Sequence, residues 1–391
     1  MYITQYNEST NHNIKYNQKD KFIFSLYSLY FILKPFYFWK SGLPQIADII
    51  MVLLIIVYIV FNRFKISFYK KDLRFLVVGL FFVLWVILVN LIWALRFQTT
   101  DSFIFPTLFY VYNFIVTSLV VTLYGQYKEK IIEVTYKSVL ISVFTQIIIF
   151  LVNGGFSGDR TIVSFNNPNQ LGYYSLMIAS FLMHLSYKVK IKMKWFIVGI
   201  FSSMILVFAS LSKAAIVAYM ALLFFFYFTI SNNKKFKRKF IIITIFALIL
   251  IVITYNTTTI VKDNLLLNAV QSRLNKIGKD GDDSLEARGY YRIFDYPEYW
   301  LLGAGEGKFD RFNHQKMEFH STLGNIQVSY GLVGTSLFLY FMLLGLRNDM
   351  YRSWYILLSI MVYGLTHNGI RNSMLWILLA FFNTGYQNEF Y

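Results

Sequence analysis

Apolar runs separated by short polar connections dominate the chain. Runs near 22–39, 46–61, 75–95, 103–124, 138–152, 170–187, 195–211, 214–230, 240–256, 321–346, 354–366 and 375–387 carry almost no charge. Most approach about 17–20 residues, the length a helix needs to cross roughly 30 Å of hydrocarbon. The pattern predicts an all-α polytopic membrane protein of about 12 transmembrane helices. One polar excursion interrupts it, residues 257–320. The chain therefore divides into helices 1–9 (1–256), a large external loop (257–320) and a C-terminal group of helices (321–391).

Composition agrees with that class. Of 391 residues, 57% are hydrophobic and only 15% charged, too little polar surface for a soluble domain of this size. Residues 1–20 are polar and do not read as a cleavable signal. Cysteine is absent, which excludes disulfides and thiolate metal sites.

The net charge of +17 sorts by connection. One alternating set holds 22 basic residues: the N-terminal tail, 63–74, 128–137, 188–194, 234–239, and Arg347 with Arg352. The short connections of the other set hold Lys40, Arg96, Arg160, Lys213 and Arg371. Basic residues are retained in the cytoplasm, so the first set and both termini are expected inside, against anionic inner-leaflet lipid. Nucleic-acid binding is the rival reading of a basic chain, but each basic cluster is short and abuts a span. The 153–169 connection, Lys213, the 257–320 loop and the 367–374 turn then all fall outside.

The loop carries half of the acidic residues, ten of 20, against nine basic ones. Leu266, Val270, Leu274 and Ile277 recur at helical spacing and suggest an amphipathic surface helix. Asp283-Ser284-Leu285-Glu286 has the spacing of a capping box opening a second helix toward Phe294. Arg288 and Arg292, four apart, would share one face of it and could grip a phosphate or diphosphate; the plainer alternative is pairing with Asp283, Glu286 or Asp295. Leu302 to Gly307 lacks the strand–turn–helix setting of a nucleotide loop and reads as a tight turn back to the bundle. Asp280 to Asp283 lacks the ligand spacing of a calcium loop.

His320 stands where the loop rejoins the membrane. A histidine there is either a packed, hydrogen-bonded residue or a base able to take a proton from a hydroxyl near neutral pH. Lys213, in a tight connection, either snorkels or faces an anionic ligand. Asn167 precedes Pro168 as a helix cap would. His367, Asn368 and Arg371 form a third polar cluster on the same side.

The segment with Arg288, Pro297, Gly303 to Gly307, His320-Ser321 and Gly331-Leu332-Val333-Gly334 resembles the O-antigen ligase and polysaccharide polymerase (Wzy-like) superfamily. Asn166-Asn167-Pro168-Asn169 is similar to that family's Asn-Pro-Asn element, and Ser212-Lys213-Ala214 to its Ser-Arg/Lys-small element. Lys34-Pro35-Phe36 and Gln45 to Asp48 also look like such polymerases. The resemblance spans most of the chain. It implies a GT-C-like bundle in a bacterial inner membrane, with the site on the outer face. The implied substrate is a glycan on polyprenyl (undecaprenyl) diphosphate, with a flippase and a chain-length regulator as partners and no cofactor. Arg288 and Lys213 would hold the diphosphate and His320 would activate the acceptor hydroxyl. Arg292, Asn167 and Arg371 join them as substrate-binding candidates. No metal is expected, because the outside segments show no carboxylate–histidine constellation and fixed cations can carry the leaving-group charge. Lys213 stands where ligases carry arginine, and no internal repeat favours a transporter. A glycosyltransferase with an acidic pair in the first external loop is disfavoured, since residues 40–45 hold no carboxylate.

Overall fold

A computed structural model describes residues 16–63, 68–156, 160–188, 192–229, 288–312 and 318–384. The ninth apolar run (240–256), the amphipathic pattern at 266–277 and the capping-box sequence at 283–286 lie outside the described residues. The described chain is all-helical: α1 (Gln18–Leu33), α2 (Ile46–Phe61), α3 (Lys70–Phe97), α4 (Asp101–Tyr127), α5 (Glu129–Val152), α6 (Pro168–Ser186), α7 (Met193–Ser210), α8 (Lys213–Thr229), the short α9 (Tyr291–Asp295), α10 (Thr322–Leu346), α11 (Met350–Gly364) and α12 (Ser373–Asn383). Eleven of these coincide with apolar runs of the sequence. Among the described residues, α3, α4, α5, α7 and α10 are long and apolar enough to cross a membrane, and α2, α8 and α12 are shorter apolar helices.

Local chemistry starts these helices where it should. Asn17 and Asp20 form a capping box on α1, while Asn167, Ser321 and Asn372 each accept a backbone N–H in the first turn of α6, α10 and α12. Burial then sorts them into layers. Every residue of α6 from Leu171 to Leu185 is buried, as is all of α12. These two helices form the centre, so α6 can carry Ser175, Ser180 and His184 without meeting lipid. By contrast, α3 turns Leu80, Phe81, Leu84, Leu88, Leu91, Ile92 and Leu95 outward, and α2 and α4 continue that apolar surface. Such a face on a long helix is what hydrocarbon covers.

The two ends of the bundle differ. At one end the 35–41 connection bonds to the 164–170 segment: Tyr37 N–H to Ser164 O, Asn166 Nδ2 to Trp39 O, Gln170 Nε2 to Ser41 Oγ. A buried ion pair, Lys34 Nζ to Asp48 Oδ1 at 2.7 Å, closes the α1–α2 corner there. At the other end Lys188 Nζ and the buried His184 both reach Phe381 O at the C-terminus of α12, and Asn383 donates to Asp72. Of the basic set, Lys70, Lys71, Lys188, Arg347 and Arg352 stand at or beside helix ends on this second side.

Candidate functional site

The 288–322 segment is docked on the C-terminus of α11. A helix leaves its last carbonyls without intrahelical partners. Here the four successive carbonyls of 364–367 are each taken by a side chain from one segment. Ser321 Oγ donates to Gly364 O (3.0 Å), Tyr290 OH to Leu365 O (2.5 Å), Arg288 Nη1 to Thr366 O (2.9 Å) and Thr322 Oγ1 to His367 O (3.1 Å). The backbone N–H of His320 in turn donates to Arg288 O at 3.2 Å. Arg288 and His320 are thus neighbours. They sit beside His367, whose ring stacks on Tyr363 at 4.8 Å.

Tyr363 connects this cluster to the middle of the chain. Its ring stacks on Tyr173 at 4.7 Å, and its hydroxyl donates to Asn169 O at 3.1 Å, in the first turn of α6. Arg160 bonds the same asparagine, Nη2 to Oδ1 at 2.5 Å, and reaches Ser210 O at the end of α7. Gly172 packs the first turns of α6 against Ser210, Ser212 and Ala215; a Cβ there would lie 2.7 Å from that of Ala215. Lys213, between Ser212 and Ala215, is brought to this end by that contact. Arg160, Lys213, Arg288, His320 and His367 therefore gather around one end of α6 and α11.

The glycine-rich segment does more than turn. Helix α10 is broken at Gly331 (φ 66°, ψ −168°), which frees the carbonyls of 328–330 and the N–H groups of 332 and 333. Residues 300–305 run alongside and take them up: Ala304 N–H to Val328 O (2.8 Å), Gly305 N–H to Ser329 O (2.7 Å), Leu332 N–H to Trp300 O (2.7 Å) and Val333 N–H to Leu301 O (3.4 Å). Trp85 Nε1 satisfies Tyr330 O. Irregular backbone at membrane depth survives only with such complete pairing. The two strands of chain approach so closely that only glycine fits: a Cβ on Gly303 would lie 2.3 Å from Ser329 O, and one on Gly331 the same distance from Leu301 O.

This segment delivers Glu306 into the bundle. The carboxylate is 0% exposed and accepts from Tyr110 OH and Tyr330 OH (both 2.9 Å), Asn325 Nδ2 (2.9 Å) and Arg371 Nη2 (2.5 Å), while its N–H donates to Asn90 Oδ1. Arg371 bridges from there to Glu318, Nη1 to Oε2 at 3.2 Å, and Asn368 Nδ2 holds the other Glu318 oxygen at 2.9 Å.

No protein-family model and no curated protein matches this chain.

Arg288, His320, Lys213 and the Asn167 cap of α6 come to one end of the bundle together. Arg288 and Arg292 do not share a helical face, because α9 begins at Tyr291 and Gly289 (φ 84°) turns the chain between them. Arg292 is instead 1% exposed, its guanidinium 4.5 Å from the Phe312 ring centre and within reach of Tyr291 and Phe309. That packing, with its cation–π contribution, replaces the expected phosphate grip. Arg371 is brought to the site, but two of its nitrogens are spent on Glu306 and Glu318. The tight turn expected at 302–307 is a longer segment laid along broken α10. Sequence reasoning gave no role to Arg160, Tyr363, Glu306 or Glu318. It also passed over Arg311, which donates to Gly305 O within a box of Trp93, Phe97, Phe103 and Phe312 rings. Burial there pulls the Arg311 guanidinium down to about 10.

Proposed function

We propose that the protein is a surface-polysaccharide polymerase of a bacterial cytoplasmic membrane. It transfers a growing glycan from polyprenyl diphosphate to a hydroxyl of an incoming lipid-linked repeat unit. The bundle crosses about twelve times with both termini inside, and the site faces out. The placement of Arg160, Lys213, Arg288 and His320 at one end of α6 and α11, away from the lysine-rich connections, carries this reading.

The chemistry balances within that set. An acceptor hydroxyl attacks the anomeric carbon as the bond to the diphosphate oxygen breaks, and His320 takes the hydroxyl proton. The leaving diphosphate gains negative charge, which the fixed cations stabilise. One of the five N–H donors of Arg288 is committed to Thr366 O, so the helix end itself sets where that guanidinium sits.

Deleting the gene and reading the surface glycan on a gel tests the reaction. Single repeat units on a normal anchor are the expected result. Long chains left on polyprenol would instead mean ligation to another acceptor, and an unaltered glycan would end the proposal. Topology has its own test, made direct by the absence of cysteine. In whole cells an impermeant thiol reagent is expected to label Lys213→Cys and to spare Lys192→Cys. The reverse pattern would invert the orientation.

A further inference from the structure

Among the described residues, the charge count around Arg371 is unbalanced, and the imbalance has a location. Arg371 touches two carboxylates, with one positive charge for two negative ones. Glu306 is fully enclosed and already has four donors, so the pair Glu306–Arg371 closes on itself. Glu318 is the remainder. Its side chain is 34% exposed, it stands two residues before His320, and each of its oxygens is pinned by a different partner. A carboxylate offers about four lone-pair sites, of which Arg371 and Asn368 occupy two.

We propose that Glu318 is a specificity-determining residue that accepts hydrogen bonds from hydroxyl groups of the glycan beside His320. The inference rests on the polymerase reading and divides its site in two. Arg160, Lys213 and Arg288 form the half that suits a diphosphate. Glu318, held by Arg371 and Asn368, forms a half that repels phosphate and suits neutral hydroxyl donors. Arg371, first expected to bind phosphate, becomes a positioning residue: it orients Glu318 and spends its charge on carboxylates. A fixed, ionised acceptor recognises a hydroxyl without the ordering cost that a mobile side chain incurs.

The test uses two readouts on the full-length protein. Glu318→Ala and Glu318→Gln are expected to lower chain extension about 10- to 100-fold, the scale of one charged hydrogen bond, collapsing the gel ladder toward single units. Glu318→Asp, which keeps the charge, is expected to recover part of the ladder. Thermal stabilisation of the purified variants by undecaprenyl phosphate should match wild type, because that probe reports the cationic half alone. A normal ladder in Glu318→Ala would overturn the proposal. So would loss of the undecaprenyl phosphate effect in both Glu318→Ala and Glu318→Gln, since Glu318 would then serve the phosphate half. Failure of the parent reading registers separately, as a full-length glycan in the deletion strain.

Discussion

His320→Ala is expected to abolish polymer while leaving the protein at its normal level in the membrane. Removing a positioned general base costs about 10²–10⁴ in rate, enough to reduce a ladder to single units. Alanine keeps the backbone bond from His320 N–H to Arg288 O, which ties this position to the docked segment. Arg288→Ala is expected to give the same loss of polymer by a different route. It removes a cation and also leaves Thr366 O without its donor, at a cost of about 1–3 kcal/mol. Arg288→Lys separates the two effects, because lysine can restore the charge and a single donor but not the planar fork. The measurement is glycan length on a gel beside an immunoblot of the membrane fraction. Polymer of normal length in both His320→Ala and Arg288→Ala would remove these residues from the site.

How much of this was legible in the sequence depends on which interactions each residue makes. Apolar runs of spanning length are local signals, and eleven of the predicted intervals are helices. Caps such as Asn167 and Asn17 are local too, since the partner lies two or three residues away. The Arg288–Arg292 pair failed for a local reason that could have been seen. Gly289 lies between them, and glycine at positive φ breaks the helical register that would align them. Glu306 was not legible. In a loop with ten carboxylates nothing marks the one whose partners lie 19 to 216 residues away, on Asn325, Tyr330, Arg371, Tyr110 and Asn90. Tyr363 was hidden for the opposite reason. It counts as apolar within a span, so the hydroxyl and ring that join α11 to α6 left no trace in the pattern. One signal for the segment along α10 was present. Trp300-Leu301-Leu302 is apolar beside a glycine-rich stretch, and Gly331 and Gly334 fall inside an apolar run, where glycine often marks close backbone approach.

Glu306→Ala is expected to destroy the protein rather than merely its activity. Breaking a buried ion pair by removing one partner costs about 3–5 kcal/mol, because the other charge stays buried without compensation. Of its two carboxylates Arg371 would keep only the part-exposed Glu318, while Tyr110, Tyr330 and Asn325 would each lose an acceptor in a closed interior. A total of that size consumes a large share of ordinary domain stability. The glycine-rich segment is anchored at one side by its bonds to broken α10 and at the other by Glu306, so its loss should reopen the break at Gly331. The variant should therefore be degraded in cells, or elute as aggregate on size exclusion in detergent. Glu306→Gln keeps the shape but turns an amide donor toward other donors, and an intermediate loss is expected. Removing both charges, as Glu306→Gln with Arg371→Gln, should recover part of the folded yield, since Arg371 no longer brings a cation to the emptied Glu306 position. Wild-type yield, elution and melting of Glu306→Ala would show that the carboxylate is not what holds this segment in the bundle.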